Sequence, residues 1–139
     1  MKHKLIDLPS HEDKRGGLVA LESLSDTVPF EIRRVYYIYG TKSDVERGFH
    51  AHKKLQQLCI CVSGACDFVL DNGCSRETLR LDSPEKGLLL GNNIWREMKN
   101  FSSDCVLLVL ASEHYDEADY IRDHAVFLET LENDYAVHS

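Results

Sequence analysis

Short runs in which apolar residues alternate with polar ones, or cluster together, recur along the chain. Their spacing of about 8 to 12 residues is the one that antiparallel sandwiches and barrels show. They predict strands at Lys4-Leu8, Leu18-Leu21, Phe30-Tyr39, Gln57-Val62, Cys66-Leu70, Thr78-Leu81, Gly87-Leu90, Ile94-Met98 and Cys105-Ala111. Asp71-Asn72-Gly73 predicts a tight hairpin, because Asn and Gly tolerate positive φ. Gly16-Gly17 and Ser63-Gly64 predict further turns. From Asp116 the pattern changes: acids at Asp116, Glu117 and Asp119 suit a helix N-terminus, and Ile121, Ala125, Leu128 and Leu131 follow at helical spacing. One C-terminal helix of about four turns is expected, packed outside the sheets with Arg122, Asp123, Glu129 and Glu132 toward solvent. The pattern therefore predicts an all-β fold, a small antiparallel barrel or jelly roll with one C-terminal α-helix; cupin-type jelly-roll barrels are folds of this kind.

Composition narrows the possibilities. The 139 residues suit one domain, 1–139, with a single hydrophobic core, and no linker or repeat divides them. A formal charge of -7 argues against nucleic acid or an anionic membrane surface as partner, although a few gathered arginines could still hold a specific anion. No apolar run has the length of a signal peptide or membrane span, so a cytoplasmic location is expected. Five cysteines without secretory context or CxxC spacing are expected to be reduced thiols.

The chemistry concentrates in His50-Ala51-His52. On a strand, residues two apart share a face, so both imidazoles enter one cavity as metal ligands or as proton carriers. A metal-binding cupin motif would place an acid where Gln57 stands and another histidine in Pro84-Glu85-Lys86-Gly87-Leu88-Leu89-Leu90-Gly91, which has none. Two of four ligands are missing, which favours proton transfer without metal or other cofactor. Arg33, Val35, Tyr37 and Tyr39 share one face of their strand, and Ile32, Arg34, Tyr36 and Ile38 the other; the sequence leaves open which faces inward. Tyr37 suits a sugar hydroxyl or a developing enolate, and Arg33 and Arg47 suit a pyrophosphate.

Four segments carry a family resemblance: Arg47-Gly48-Phe49-His50-Ala51-His52-Lys53-Lys54-Leu55, Asp82-Ser83-Pro84, Trp95-Arg96-Glu97-Met98 and Tyr115-Asp116-Glu117-Ala118-Asp119-Tyr120-Ile121-Arg122. Together with Arg34-Val35-Tyr36-Tyr37-Ile38 and Phe101-Ser102-Ser103-Asp104-Cys105, these resemble the sugar 3,4-ketoisomerases that act on dTDP-4-keto-6-deoxyglucose. The resemblance implies a metal-independent homodimer that moves the keto group of a dTDP-linked 4-keto-6-deoxyhexose from C4 to C3. The 3-keto product would supply 3-amino-3,6-dideoxy sugars for surface polysaccharides such as O-antigen. It also implies that His50 and His52 are the catalytic pair, with Tyr37 and Arg47 lining the site. Arg15 and Arg96 are further candidates near the reacting carbons; the galacto product is slightly favoured over the gluco one, although Arg96 stands where some relatives have His. Rival readings are a nucleotide-sugar 3,5-epimerase, a non-catalytic sugar-nucleotide-binding cupin and a metal-dependent dioxygenase.

Overall fold

The computed structural model describes residues 3–138. Two five-stranded antiparallel sheets face each other. The first has the order β1 (His3–Asp7), β9 (Lys86–Leu90), β6 (Gln57–Ser63), β11 (Val106–Ala111), β4 (Arg34–Tyr39). The second has the order β12 (Tyr120–Ile121), β5 (Arg47–His52), β10 (Trp95–Lys99), β7 (Cys66–Asp71), β8 (Arg76–Leu81). This is a cupin-type jelly roll, of the kind that the strand pattern predicts. A separate hairpin, β2 (Ser10–Asp13) and β3 (Gly16–Val19), pairs only with itself. The chain ends in α1 (His124–His138), and among the described residues no helix is long and apolar enough to cross a membrane.

Three apolar clusters explain which side chains point where. Between the sheets lie Cys59, Cys61, Phe68, Leu70, Leu88, Ile94 and Leu107 with their neighbours. On the outer face of the first sheet, Leu58, Ile60 and Leu110 are covered by Leu8, Val28 and Phe30. Gln57 through Cys61 are consequently buried on both faces of β6, which explains why that strand reads as an apolar run without alternation. A third cluster of Ala51, Trp95, Ile121 and Phe127 docks α1 onto the second sheet.

The expected strands are present to within a few residues, with three differences, while β2 and β5 lie outside the ranges that the pattern predicts. The first is in the Phe30-Tyr39 segment, where only Arg34–Tyr39 is strand and Phe30 belongs to the covering layer. The second is at Gly16-Gly17, which open β3; the turn itself falls on Lys14 and Arg15. The third is at the C-terminal helix, which starts later than the acids suggest. Glu117–Asp119 form a 3-10 turn, and Tyr120–Ile121 pair with His52 and Ala51 as a strand. Asp123 is the N-terminal cap, its Oδ1 accepting from the backbone N–H groups of Ala125 at 2.8 Å and Val126 at 3.3 Å. Ala125 is exposed, and Phe127, at 0% exposure, is the anchor instead. Leu128 and Leu131 pack against the same cluster as expected, and Ile121 joins it from β12.

The Asp71-Asn72-Gly73 hairpin is present between β7 and β8, with Gly73 at φ +92° and Asn72 Oδ1 accepting from the N–H groups of Cys74 and Ser75. Ser63-Gly64 also forms its turn. Gly64 has φ +65°, and a Cβ there would lie 2.7 Å from the backbone nitrogen of Cys105, so glycine is required by both torsion and space.

Candidate active site

A bulge in β5 creates the site. Across β10 the register passes from Arg96 opposite His50 to Glu97 opposite Gly48, leaving Phe49 as the extra residue. Phe49 takes φ +59° and turns outward, while Gly48 at φ +90° lies against β10, where a Cβ would come 2.9 Å from the Arg96 carbonyl oxygen. Beyond the bulge, His50 and His52 point to the same side, their ring centroids 4.8 Å apart and nearly perpendicular. Tyr120, opposite His52 in the β5–β12 pair, places its ring 5.0 Å from His50 and 4.4 Å from His52.

His50 lines a cleft of about 440 Å³ together with Arg34, Tyr36, Ile38, Arg47, Gly48, Met98, Tyr120 and Arg122. His52 lies deeper, 1% exposed, with Nδ1 3.2 Å from Asp119 Oδ2. Asp119 also accepts from the backbone N–H groups of Lys54 at 2.8 Å and Leu55 at 3.3 Å, so one carboxylate sets both the imidazole and the chain that leaves β5.

Under the histidines lies Arg96, 2% exposed. It donates to the Ile94 carbonyl through Nε at 3.2 Å and Nη2 at 3.1 Å, and through Nη1 to Gln57 Oε1. Gln57 in turn donates through Nε2 to the Tyr36 hydroxyl at 2.9 Å. The residue at the position of a cupin acid is thus committed to a buried guanidinium and a phenol. A divalent cation between the histidines would face the Arg96 charge with no anionic ligand from Gln57, so the donor set does not suit one.

Burial and the Arg96 charge together set the protonation of the pair. Burial, followed by the Arg96 charge, lowers His50 to about 4. The same causes in the same order, reinforced by His50 itself, lower His52 to about 2. Both imidazoles are neutral at physiological pH. Burial pushes the Tyr36 hydroxyl up to about 12, keeping it a hydrogen-bonding group and not a proton source near neutrality. Burial also pushes the Arg96 guanidinium below its ordinary value, but arginine remains charged in this range.

The rim is cationic although the protein is acidic overall. Arg122 lies 4.3 Å over the Tyr120 ring and is held by Glu117 through bonds of 2.7 and 2.9 Å. Arg34 lies between the rings of Tyr36, at 5.4 Å, and Tyr115, at 5.7 Å, and its Nε is buried without a partner among the described residues. With Arg47, these side chains form a cleft suited to a diphosphate.

The structure brings His50, His52, Arg47 and Arg96 together and leaves three expected residues elsewhere. Tyr37 is 62% exposed on the outward face of β4, because Arg34, Tyr36 and Ile38 take the inward phase. Arg33 precedes that strand and pairs at the surface with Glu113 and Glu31. Arg15 sits at the tip of the β2–β3 hairpin, its side chain 90% exposed and bonded to Asp13. The inward set on β4 is therefore corrected from Arg33 and Tyr37 to Arg34 and Tyr36. Sequence reasoning missed the site positions of Asp119, Tyr120 and Arg122, although all three lie in the Tyr115–Arg122 segment that carries the family resemblance. It also treated Gln57 only as a missing ligand, not as the partner of Arg96.

Comparison with known proteins follows the same line. The family model described as "FdtA: WxcM-like, C-terminal" matches residues 1–132. A TDP-4-oxo-6-deoxy-alpha-D-glucose-3,4-oxoisomerase from Aneurinibacillus thermoaerophilus is 50% identical over 127 residues, 91% of each chain. The WlaRB TDP-quinovose 3,4-ketoisomerase of Campylobacter jejuni has a TM-score of 0.88 and 50% identity, covering 91% of this chain and 97% of its own. A mutant of the QdtA 3,4-ketoisomerase from Thermoanaerobacterium thermosaccharolyticum, solved in complex with TDP-4-keto-6-deoxyglucose, has a TM-score of 0.90 and 42% identity over 93% of each chain.

Proposed function

The chain belongs to the FdtA family (WxcM-like, C-terminal), and from that premise we propose that it is a TDP-sugar 3,4-ketoisomerase, converting dTDP-4-keto-6-deoxy-D-glucose to the 3-keto sugar. The observation that carries this reading is a neutral histidine pair, with His50 on the wall of a cleft edged by Arg34, Arg47 and Arg122 and His52 packed behind it, ring centroids 4.8 Å apart. The relatives named for this reaction and the ligand of the QdtA complex support the substrate.

The C4 ketone acidifies the C3 hydrogen. His50, which lines the cleft, takes that proton and leaves an enediolate across C3 and C4. Burial first and the Arg96 charge second hold its basicity down, and a diphosphate among the rim arginines offsets the cationic part of that effect. Arg96 beneath the pair and Tyr36 beside it favour negative charge on the enediolate. His52, steadied by Asp119, exchanges protons with the O3 and O4 side of the intermediate. Delivery of a proton to C4, with the O3 proton lost and one gained at O4, gives the 3-keto sugar. No metal or other cofactor takes part on this reading, and the product supplies 3-amino-3,6-dideoxy sugars.

The family resemblance slightly favours the galacto product. A specific observation favours gluco: the 50% identical Campylobacter relative is named for TDP-quinovose, whose sugar has the gluco configuration. A homodimer is proposed on two grounds. The β2–β3 hairpin pairs only with itself, and Val35, Tyr37 and Tyr39 are exposed on the edge strand β4. Arg15, Arg33 and Tyr37, which lie off the cleft of their own chain, would meet substrate only from a second copy. A monomer by light scattering would remove that role.

The test is proton NMR of dTDP-4-keto-6-deoxyglucose with chelator-treated protein in D2O. Deuterium at C4 of a 3-keto sugar supports the reading, and the H4 couplings distinguish galacto from gluco. Exchange at C3 and C5 without keto migration would indicate an epimerase, and an unchanged spectrum a binding module.

A further inference from the structure

Beyond the cleft, the core between the sheets holds Cys61 on β6, Cys66 on β7 and Cys105 just before β11. Cys61 Sγ lies 3.7 Å from Cys66 Sγ and 3.8 Å from Cys105 Sγ, and all three sulfurs lie within 4.8 Å of one another. None is in a disulfide. Sulfurs each about 2.3 Å from a shared pyramidal three-coordinate centre stand about 3.5 Å apart, so small side-chain shifts from 3.7 and 3.8 Å bring the thiols onto one.

The surroundings decide which centre fits. Phe68, Phe101 and Leu107 belong to the same buried cluster, and among the described residues no histidine or carboxylate joins the three sulfurs. The occupant must be soft, satisfied by three ligands, and uncharged once bound, since net charge in an apolar core is costly. Three thiolates leave a net negative charge on a monovalent or divalent ion and none on a trivalent one. We propose that Cys61, Cys66 and Cys105 form a binding site for trivalent arsenic, taken up as arsenous acid. Three S–H and three As–O bonds break, three As–S bonds form, and three waters leave, with no change of oxidation state.

Entry is from the rim at Cys105, 4% exposed, beneath two turns tied by the Ser102 N–H to the Ala65 carbonyl and the Ala65 N–H to Ser102 Oγ, both 2.9 Å. Cys105 is met first, and Cys61, central to both close contacts, joins it to Cys66. Binding joins β6 and the turn before β11 to β7 of the other sheet.

The experiment treats the whole protein, reduced with a phosphine, with arsenite. Native mass spectrometry is expected to show a gain of one arsenic less three hydrogens, and X-ray absorption at the arsenic edge three sulfur neighbours and no oxygen. Cys61→Ala, Cys66→Ala and Cys105→Ala should each weaken binding at least about tenfold. Cys59→Ala and Cys74→Ser should leave it intact. Cys105→Ser, at the rim, tests the site in a form that keeps its core packing should the alanine variants unfold. Absence of bound arsenic, two-sulfur coordination, retention in Cys105→Ser, loss in Cys74→Ser, or conversion to a disulfide without arsenic would overturn the proposal.

Discussion

Lowering the pH from 8 to 5 should destabilise this protein through His50 and His52. Unfolded, each titrates near 6.5; folded, His50 is held at about 4 and His52 at about 2. Between those values the unfolded chain binds more protons than the folded one, so stability rises with pH and is lost as pH falls. At pH 5 each unfolded imidazole is almost fully protonated and each folded one almost neutral. Each therefore costs about 2 kcal/mol relative to pH 8, or about 4 kcal/mol for the pair, a large part of a typical total of about 5–15 kcal/mol. The assay is urea unfolding at pH 8, 7, 6 and 5, at one protein concentration, for the wild type and for the His50→Asn, His52→Asn double variant. The wild-type midpoint should fall steeply below pH 6.5 with an unchanged slope, and the double variant should lose most of that dependence. Parallel profiles for the two proteins would refute the claim that the fold keeps both histidines neutral.

His50→Asn should leave a folded protein with turnover reduced at least about a hundredfold, read by the NMR assay. Asp119→Asn should lower kcat at least about tenfold with little change in KM, because the buried His52 imidazole loses the carboxylate that orients it at 3.2 Å; a rise in KM with kcat unchanged would count against that role. Gly64→Ala should cost about 2 to 4 kcal/mol by urea unfolding, since its φ of +65° disfavours a side chain and the new Cβ meets the Cys105 backbone. Phe127→Ala should cost about 3 to 5 kcal/mol and speed hydrogen exchange in α1 first, because Phe127 is the fully buried anchor of that helix.

Much of the fold was legible in local pattern. Two-residue alternation reports strands wherever one face is covered, and Asp71-Asn72-Gly73 specifies its hairpin through the torsions those residues tolerate. The same periodicity puts His50 and His52 on one face, and Gln57 for a carboxylate argues against a metal from composition alone. The phase of β4 was not legible, because both of its faces carry arginine and tyrosine, and the choice of Arg34 and Tyr36 over Arg33 and Tyr37 depends on which face the opposing sheet covers. The late start of α1 was also hidden, since Tyr120–Ile121 become a strand only by pairing with β5, far away in sequence.

The chemistry of the site divides in the same way. Residue identity and spacing determined the histidine pair, because an i, i+2 relation on a strand needs no knowledge of the rest of the chain. Tertiary structure decided that the bulge at Phe49 aims the pair inward, that Asp119 holds His52, and that Arg96 is buried beneath both rings. The protonation of a histidine depends on solvent exclusion and on charges a few ångströms away, and those are set by strands that meet only when the barrel closes.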